Sequence, residues 1–283
     1  MTDDHFDTVL APVLRELGPH LSGLVVIGGW VPELHRRFGP PGDWAVRPLH
    51  TTEVDVLASM PGETDPAAPL ISAALAAAGF TPVTQEGPSA VWERDAASGE
   101  RIEFFVEHRG AWGGVSQVVA VEPAGHLGGL TLEGVGVLRD HSVVLPVPLG
   151  TADGREELAL VRVPELGAFA LHKGVTFLRR RDRAKRIKDL HYIVDIMQSG
   201  EGVVELVERQ VLSYCAGGGG VAALARAARN YVGLAVGEGS GAELIVGLGE
   251  ALALRHGMFP AEGRARARGY LTDFVELIPE GCG

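Results

Sequence analysis

Hydrophobic positions recur every three or four residues at the start of the chain, which predicts an amphipathic helix. The apolar face of this helix consists of Phe6, Val9, Leu10, Val13, Leu14 and Leu17. A short uninterrupted apolar run over 24–27 follows and predicts a buried strand, which Gly28-Gly29 ends. The residues 30–38 then predict a short helix that is entered directly from that strand.

Three further strands are predicted by alternating apolar and polar positions, over 52–57, 90–94 and 101–107. An Ala-rich helix is expected from Pro66 to Ala78, because proline is favoured in a first helical turn and Gly79 follows as a stop. The stretch 115–149 is rich in Val and Gly and lacks helical spacing. We therefore expect more strands or a hairpin in that stretch.

The pattern becomes helical from about Pro164 onward. Six helices are predicted there, over 164–179, 184–197, 203–212, 221–236, 242–254 and 261–278. A sheet-and-helix region followed by an all-helical region is the simplest architecture for such a pattern. We therefore predict an α+β fold, with a mixed sheet and helices in 1–160 and a helical C-terminal domain in 161–283.

Composition narrows the class of protein. Of the 283 residues, 46% are hydrophobic and 22% are charged, as in globular domains. No apolar run approaches the roughly 18 residues of a membrane span, and the acidic start differs from a signal peptide, so we expect a soluble cytoplasmic protein. Two cysteines, Cys215 and Cys282, exclude a disulfide framework and a four-cysteine zinc site. We expect both to be structural thiols in a reducing compartment.

Charge is unevenly distributed along the chain. The formal net charge of -11 argues against binding of duplex nucleic acid by the whole surface. Residues 179–188, the basic run, nevertheless contain seven Lys and Arg residues and one acid, Asp182. This run is either a solvated helix end or a local surface for a polyanion such as RNA.

The candidate chemistry lies on the predicted strands. Glu53 and Asp55 are two residues apart, so a strand turns both carboxylates to one face, and Glu103 has the same orientation on its own strand. If the two strands are neighbours, the three carboxylates converge, and a divalent cation such as Mg²⁺ would relieve their repulsion. The alternative is an acidic sheet face that is merely solvated. A glycine pair between strand and helix, as at Gly28-Gly29, allows close approach of a phosphate, or simply forms a tight turn.

In this order, these residues resemble the signature of the nucleotidyltransferase superfamily related to DNA polymerase beta. The signature is a strand, a glycine pair, a short helix, an acid-x-acid pair and a later third acid. The resemblance covers about residues 21–107 and implies nucleotide binding by Gly28 and Gly29. It also implies that Glu53, Asp55 and Glu103 are catalytic metal ligands. The sequence departs from the family in having Glu53 where Asp is commoner and a long insert from Gly29 to Glu53.

Two later segments, around Lys173 and around 186–195, are similar to bacterial nucleotidyltransferases akin to AbiE-type toxins. By position, the resemblance implies that Lys173 meets nucleotide phosphates and that Asp189 supports the site or assists proton transfer. Arg180 is expected on the same helical face as Lys173, two turns later. The alternatives are an ordinary exposed lysine at 173 and an ion pair of Asp189 with Lys185 or Lys188. The resemblance also implies a toxin–antitoxin role, with a cognate antitoxin as partner.

The sequence as a whole predicts a magnesium-dependent enzyme of nucleotidyltransferase fold whose helical domain closes over the nucleotide. It would move a nucleoside monophosphate from an NTP, with one or two Mg²⁺ ions, to a hydroxyl of an RNA, protein or small-molecule acceptor. Two rival interpretations remain. One is an inactive nucleotide- or RNA-binding module of the same fold, and the other is a structural or interaction protein whose acids only solvate a sheet face.

Overall fold

The structure is a computed structural model that describes residues 5–40, 42–49, 51–58, 70–84, 86–94, 100–108, 117–122, 126–150, 156–237 and 241–282. Contacts divide the chain into two compact units. The sheet unit is formed by Met1–Phe38 and His50–Pro164, and the helical unit by Gly39–Leu49 and Glu165–Gly283. Within the described ranges, none of the helices combines the length and the apolar character that crossing a membrane requires.

In its described residues, the sheet unit contains short helices and nine strands. Its helical segments are a π-helical turn Phe6–Leu10, α1 Ala11–Glu16, 3-10 helices Gly18–Gly23 and Gly28–Trp30, α2 Val31–Phe38, α3 Ile71–Ala77 and α4 Gly136–Asp140. Its strands are β1 Leu24–Ile27, β2 Glu53–Ala58, β3 Thr81–Pro82, β4 Val91–Glu93, β5 Arg101–Glu107, β6 Val118–Ala120, β7 Gly128–Leu132, β8 Ser142–Gly150 and β9 Glu156–Pro164. The strands expected over 24–27, 52–57, 90–94 and 101–107 are confirmed to within a residue. Pro66, the expected start of α3, lies outside the described residues.

Seven of the strands form one mixed sheet. The order is β1-β2-β5-β4-β3, and β7 pairs with both β5 and β6. β2 and β5 are parallel, as are β5 and β7, whereas β1 and β2 are antiparallel. The mixed α+β class that the sequence predicts is thereby confirmed. β8 and β9 form a separate antiparallel pair over the full length of both strands.

Alternation along β2 and β5 separates a core face from a polar face. Val54, Val56, Ile102, Phe104 and Val106 are buried in the core of the unit. Leu10, Leu14 and Leu17 of the first helical segments and Trp30 belong to the same core. Glu53 and Asp55 of β2 and the intervening residues of β5 are only partly buried, so the carboxylates lie on the opposite face of the sheet.

The described part of the helical unit contains six α-helices. They are α5 Leu166–Thr176, α6 Arg183–Met197, α7 Glu201–Gly217, α8 Gly219–Val236, α9 Ala242–His256 and α10 Pro260–Leu277. A 3-10 turn, Phe177–Arg179, extends α5. All six predicted helices are therefore present, and Gly218, with a φ of 69°, makes the break between α7 and α8.

The two cysteines correct one expectation. Cys215, near the end of α7, and Cys282 form a disulfide, although the sequence predicted two thiols. They are 67 residues apart, so no local pattern relates them. Arg226 and Arg229 of α8 also bind the C-terminal segment, by donating to the carbonyls of Cys282 and Ile278.

Candidate active site

The predicted carboxylates of the sheet unit lie side by side on neighbouring strands. In the parallel register of β2 and β5, Asp55 is paired with Glu103, and Glu53 is paired with Arg101. Glu53, Asp55 and Glu103 are all partly buried and share the polar face. The strand pairing on which their convergence depends is confirmed, and their role as ligands stays a prediction.

The turn after β1 packs directly against Asp55. Gly28 has a φ of +71°, a conformation that L side chains rarely adopt. A Cβ atom at this position would lie 1.9 Å from the Asp55 Oδ2 atom. Both constraints require glycine at position 28. The Gly28–Trp30 turn therefore begins in close contact with the Asp55 carboxylate. Gly29 follows, fully buried, at the entry to α2.

On the same face of the sheet, Arg101 neutralises part of the negative charge of the carboxylates. The guanidinium of Arg101 lies 2.5 Å from Glu103 Oε1 and 3.7 Å from Glu93 Oε1. Farther along β5, Glu107 is paired with Arg139 at 3.1 Å. In the part of the chain that the structure describes, no three His, Cys, Asp or Glu residues form a ready-made metal-binding group. Asp55 and Glu103 are cross-strand neighbours, and Glu53 is two residues before Asp55 on the same face of β2.

In the helical unit, three predicted residues form one cluster around the buried carboxylate of Asp189. Lys173 Nζ of α5 lies 2.8 Å from Asp189 Oδ1 of α6, and Arg180 Nε lies 3.1 Å from Asp189 Oδ2. The side chains of Lys173 and Asp189 are 9% and 4% exposed, whereas that of Arg180 is 41% exposed. Thr176 donates a further hydrogen bond to Asp189. Asp189 thus joins two cations, and the cluster keeps a net positive charge.

Two details of this cluster differ from the expectations. Arg180 is not on the helix of Lys173, because its backbone is extended after the 3-10 turn, and it reaches Lys173 only through Asp189. The partners of Asp189 are Lys173 and Arg180 instead of Lys185 or Lys188. Lys173 is buried, with its ammonium group over the rings of Phe169 and Tyr192. It is therefore not an ordinary exposed lysine.

Electrostatics fix the charge states in this cluster. Burial alone would raise the pKa of Asp189, but the charges of Lys173 and Arg180 and their hydrogen bonds hold it below the ordinary value of 3.8. Burial, followed by the charge of Lys173, lowers the pKa of the neighbouring His172 to about 3. At neutral pH, Asp189 is therefore ionised and His172 is neutral.

Lowering the pH should reduce the free energy of unfolding, because Asp189 becomes protonated. Because its pKa is lower in the folded than in the unfolded state, its carboxylate stabilises the fold above about pH 4, and this contribution is lost as pH falls through the folded pKa. We expect Asp189→Asn to lose about 3–5 kcal/mol of unfolding free energy at pH 7, because Lys173 stays buried without its partner. Urea unfolding at several pH values should show the gap from wild type closing in acid. The exposed Asp273→Asn is the control, and an equal pH profile for Asp189→Asn and wild type would contradict the account.

The basic run is largely exposed, and several of its cations have local roles. Asp182 caps α6 by accepting hydrogen bonds from the amides of Ala184 and Lys185. Arg183 donates to the Glu243 carbonyl, and Lys188 lies over the Tyr192 ring. The helical unit as a whole holds 16 of the 25 Lys and Arg residues but only 15 of the 36 Asp and Glu residues. The excess of cations is therefore in this unit, although the whole chain is acidic.

Sequence reasoning missed a second buried carboxylate of α6. Asp195 is fully buried and accepts hydrogen bonds from Arg255 at 2.7 Å, Gln198 at 3.0 Å and the Leu49 amide at 2.8 Å. These bonds fasten the segment Gly39–Leu49 within the helical unit. The only sequence signal is an acid among the hydrophobic residues of α6, and it does not identify partners 146 and 60 residues away.

Comparison of the chain with protein-family models, with curated proteins and with solved structures gives no match. The family resemblance accordingly depends on the motif residues and on their arrangement in the two units.

Proposed function

We propose that this protein is a metal-dependent nucleotidyltransferase that moves a nucleoside monophosphate from an NTP to an acceptor hydroxyl. The observation that carries the proposal is the pairing of Asp55 with Glu103 on adjacent parallel strands, with Gly28 packed against Asp55. A positive-φ glycine turn beside two carboxylates suits a phosphate and a divalent cation better than it suits a solvated sheet face. The nucleotidyltransferase fold itself is part of this proposal.

The donor set fits magnesium. Mg²⁺ prefers oxygen ligands and is commonly held by one or two carboxylates together with substrate phosphates. Asp55 and Glu103 would supply the two carboxylates, with Glu53 as a third ligand or as the ligand of a second ion. When bound, the metal would supply charge neutralisation at the α-phosphate and at the pyrophosphate leaving group.

The remaining roles follow from burial and charge. Backbone N–H groups of the Gly28-Gly29 turn would bind a phosphate oxygen of the NTP. Within the helical unit, Arg180 has the most exposed cation of its cluster, and the resemblance implies that it and Lys173 would meet nucleotide phosphates. Asp189 is a weak base because two cations lower its pKa, so we assign it to positioning Lys173 and Arg180.

The overall reaction releases pyrophosphate and one proton. The acceptor oxygen forms a bond to the α-phosphorus, the bond from that phosphorus to the bridging oxygen breaks, pyrophosphate leaves, and the hydroxyl proton is released. Incubation with each α-labelled NTP, Mg²⁺ and separated RNA, protein and small-molecule fractions of a lysate tests this. Covalent label in one fraction is expected, and its absence from all of them, with every NTP, would contradict the proposal.

The basic run gives a prediction about the acceptor. If it contacts a polyanion such as RNA, affinity should fall steeply with salt, because phosphate contacts release counterions. Replacing Arg179, Arg181 and Lys185 with Ala should reduce the log–log salt slope by about 2, at roughly 0.7–0.9 per lost contact. The measurement is the affinity for the labelled acceptor between low and physiological salt.

A matched control for that measurement lies elsewhere in the helical unit. Arg209 and Arg266 are exposed and form only surface pairs within their own helices, and Arg268 is also exposed. Replacing these three with Ala removes the same charge without touching the basic run. An equal change of the salt slope in both triple variants would show that the basic run is only a solvated helix end.

A non-catalytic nucleotide- or RNA-binding module is the second candidate. It is favoured by the ion pair of Arg101 with Glu103, which occupies one carboxylate oxygen of the proposed metal site. In this case an NTP should bind without turnover and with little dependence on Mg²⁺. Equilibrium binding with and without Mg²⁺, alongside the labelling assay, separates the two candidates.

A further inference from the structure

Arg101 lies among the carboxylates on the polar face of the sheet. In the register of the strands, its neighbours are Glu53 on β2 and Glu93 on β4. Glu103 follows it by two residues on β5 and therefore shares its face. Arg101 and these three carboxylates are all partly buried. Its positive charge is thus placed beside two of the proposed metal ligands, Glu53 and Glu103.

The guanidinium group of Arg101 is poorly satisfied. It has five N–H donors, and in the described part of the chain one of them donates a hydrogen bond, from Nη2 to Glu103 Oε1 at 2.5 Å. Nη1 lies 3.7 Å from Glu93 Oε1, which is too far for a hydrogen bond. Nε is buried and has no acceptor among the described residues. A buried donor without a partner is costly, so a better acceptor should displace the guanidinium from this position.

Two other arginines of the sheet unit show a fully used guanidinium fork. Nε and Nη2 of Arg36 donate to the two oxygens of Glu33, at 2.8 Å each. The same two atoms of Arg94 donate to the two oxygens of Glu100, at 2.5 and 2.8 Å. Arg101 has the same fork, but only one arm of it donates a hydrogen bond. A fork of two parallel N–H donors is also the group that binds phosphate oxygens in a bidentate manner.

We propose that Arg101 exchanges partners when the substrate binds, by giving up Glu103 and donating its fork to a phosphate of the NTP. The inference rests on the proposed function, because it concerns the same site. In the structure, Arg101 occupies one oxygen of a proposed Mg²⁺ ligand, so the metal and the guanidinium compete for Glu103. The phosphates of the NTP supply a new anionic partner for the displaced guanidinium. Arg101 thereby gives the sheet unit a phosphate-binding cation of its own.

Two affinities, measured without turnover, should change in opposite directions in Arg101→Met. Methionine keeps an apolar stem but removes the charge and the donors. The affinity for Mn²⁺ alone, measured by electron paramagnetic resonance, should rise about fivefold, because a competing positive charge is removed. The affinity for inorganic triphosphate with Mg²⁺, measured by isothermal titration calorimetry, should fall about tenfold, because a charge-assisted fork is lost.

Two further variants complete the experiment. Arg139→Met removes the cation that is paired with Glu107 at the other end of β5, and both affinities should stay within about twofold of wild type. Arg101→Lys keeps the charge without the fork. Its Mn²⁺ affinity should stay within about twofold of wild type, and its triphosphate affinity should fall about threefold. This variant decides the question if Arg101→Met does not fold.

The exchange is overturned if the two affinities of Arg101→Met do not move in opposite directions, since a merely structural ion pair would lower both or change neither. Equal triphosphate affinity of Arg101→Lys and wild type would overturn it as well. Either result, together with labelled acceptor from wild type in the transfer assay, would remove the role of Arg101 and leave the enzyme activity standing. Wild type that binds no Mn²⁺ would contradict the exchange and the proposed metal site together.

Discussion

Asp55→Asn is expected to reduce nucleotidyl transfer by about 100- to 1000-fold while the protein stays folded. Asparagine keeps the shape of the side chain but removes the charge that would hold the metal against the α-phosphate, and loss of one such electrostatic contact has this magnitude. Asp55 is only partly buried, so the unfolding free energy should change by no more than about 1 kcal/mol. Initial rates of label transfer, together with urea unfolding, measure the two effects.

Glu107→Gln is the matched control for that variant. Glu107 lies on the same polar face, at the other end of β5, and is paired with Arg139. Glu107 is outside the predicted set of metal ligands. The transfer rate of Glu107→Gln should therefore stay within about threefold of the wild-type rate, as expected for a surface substitution. Near-normal transfer by Asp55→Asn, with unchanged Mg²⁺ dependence, would remove Asp55 from the mechanism.

Breaking the Cys215–Cys282 disulfide is expected to destabilise the fold about as much as Asp189→Asn does. The bond closes a chain segment with a sequence separation of 67, and the loop-entropy relation gives about 4 kcal/mol for a loop of that length. The Cys215→Ser, Cys282→Ser double variant should show this loss in urea unfolding. A reductant should destabilise the wild type similarly and leave the double variant unaffected.

Thiol titration of the native protein is the direct check on that bond. Absence of reactive thiols before reduction and two thiols after it are expected from the paired cysteines. Two titratable thiols in the unreduced, unfolded chain would contradict the disulfide and restore the prediction of structural thiols. The outcome also bears on the predicted cytoplasmic location, because stable disulfides are typical of oxidising compartments.

Local patterns predicted the strands of the candidate site and the faces of their side chains. β1 and β5 begin and end where the apolar run and the alternation place them. Alternation also put Glu53, Asp55 and Glu103 on one face, since a period of two is a property of any strand. Alternation could also have predicted the ion pair of Arg101 with Glu103, because residues that are two apart on a strand lie on the same face. The sequence analysis did not predict this ion pair.

Local sequence patterns did not predict the contacts between residues that are distant along the chain. The hydrogen bond from the Leu49 amide to Asp195 joins residues 146 apart, so the membership of Gly39–Leu49 in the helical unit has no local signal. The disulfide is another case. Lys173 and Asp189 were singled out separately by family position, but their ion pair depends on how α5 and α6 pack, which spacing along one helix does not reveal.

Parallel reactions with α-labelled and γ-labelled NTP test the proposed activity most directly, in wild type and in Asp55→Asn. Wild type should transfer the α-label to the acceptor and release the γ-label as pyrophosphate, one for one, and Asp55→Asn should do both at least about 100-fold more slowly. Transfer of the γ-label to the acceptor, or release of inorganic phosphate without transfer, would contradict nucleotidyl transfer by this site.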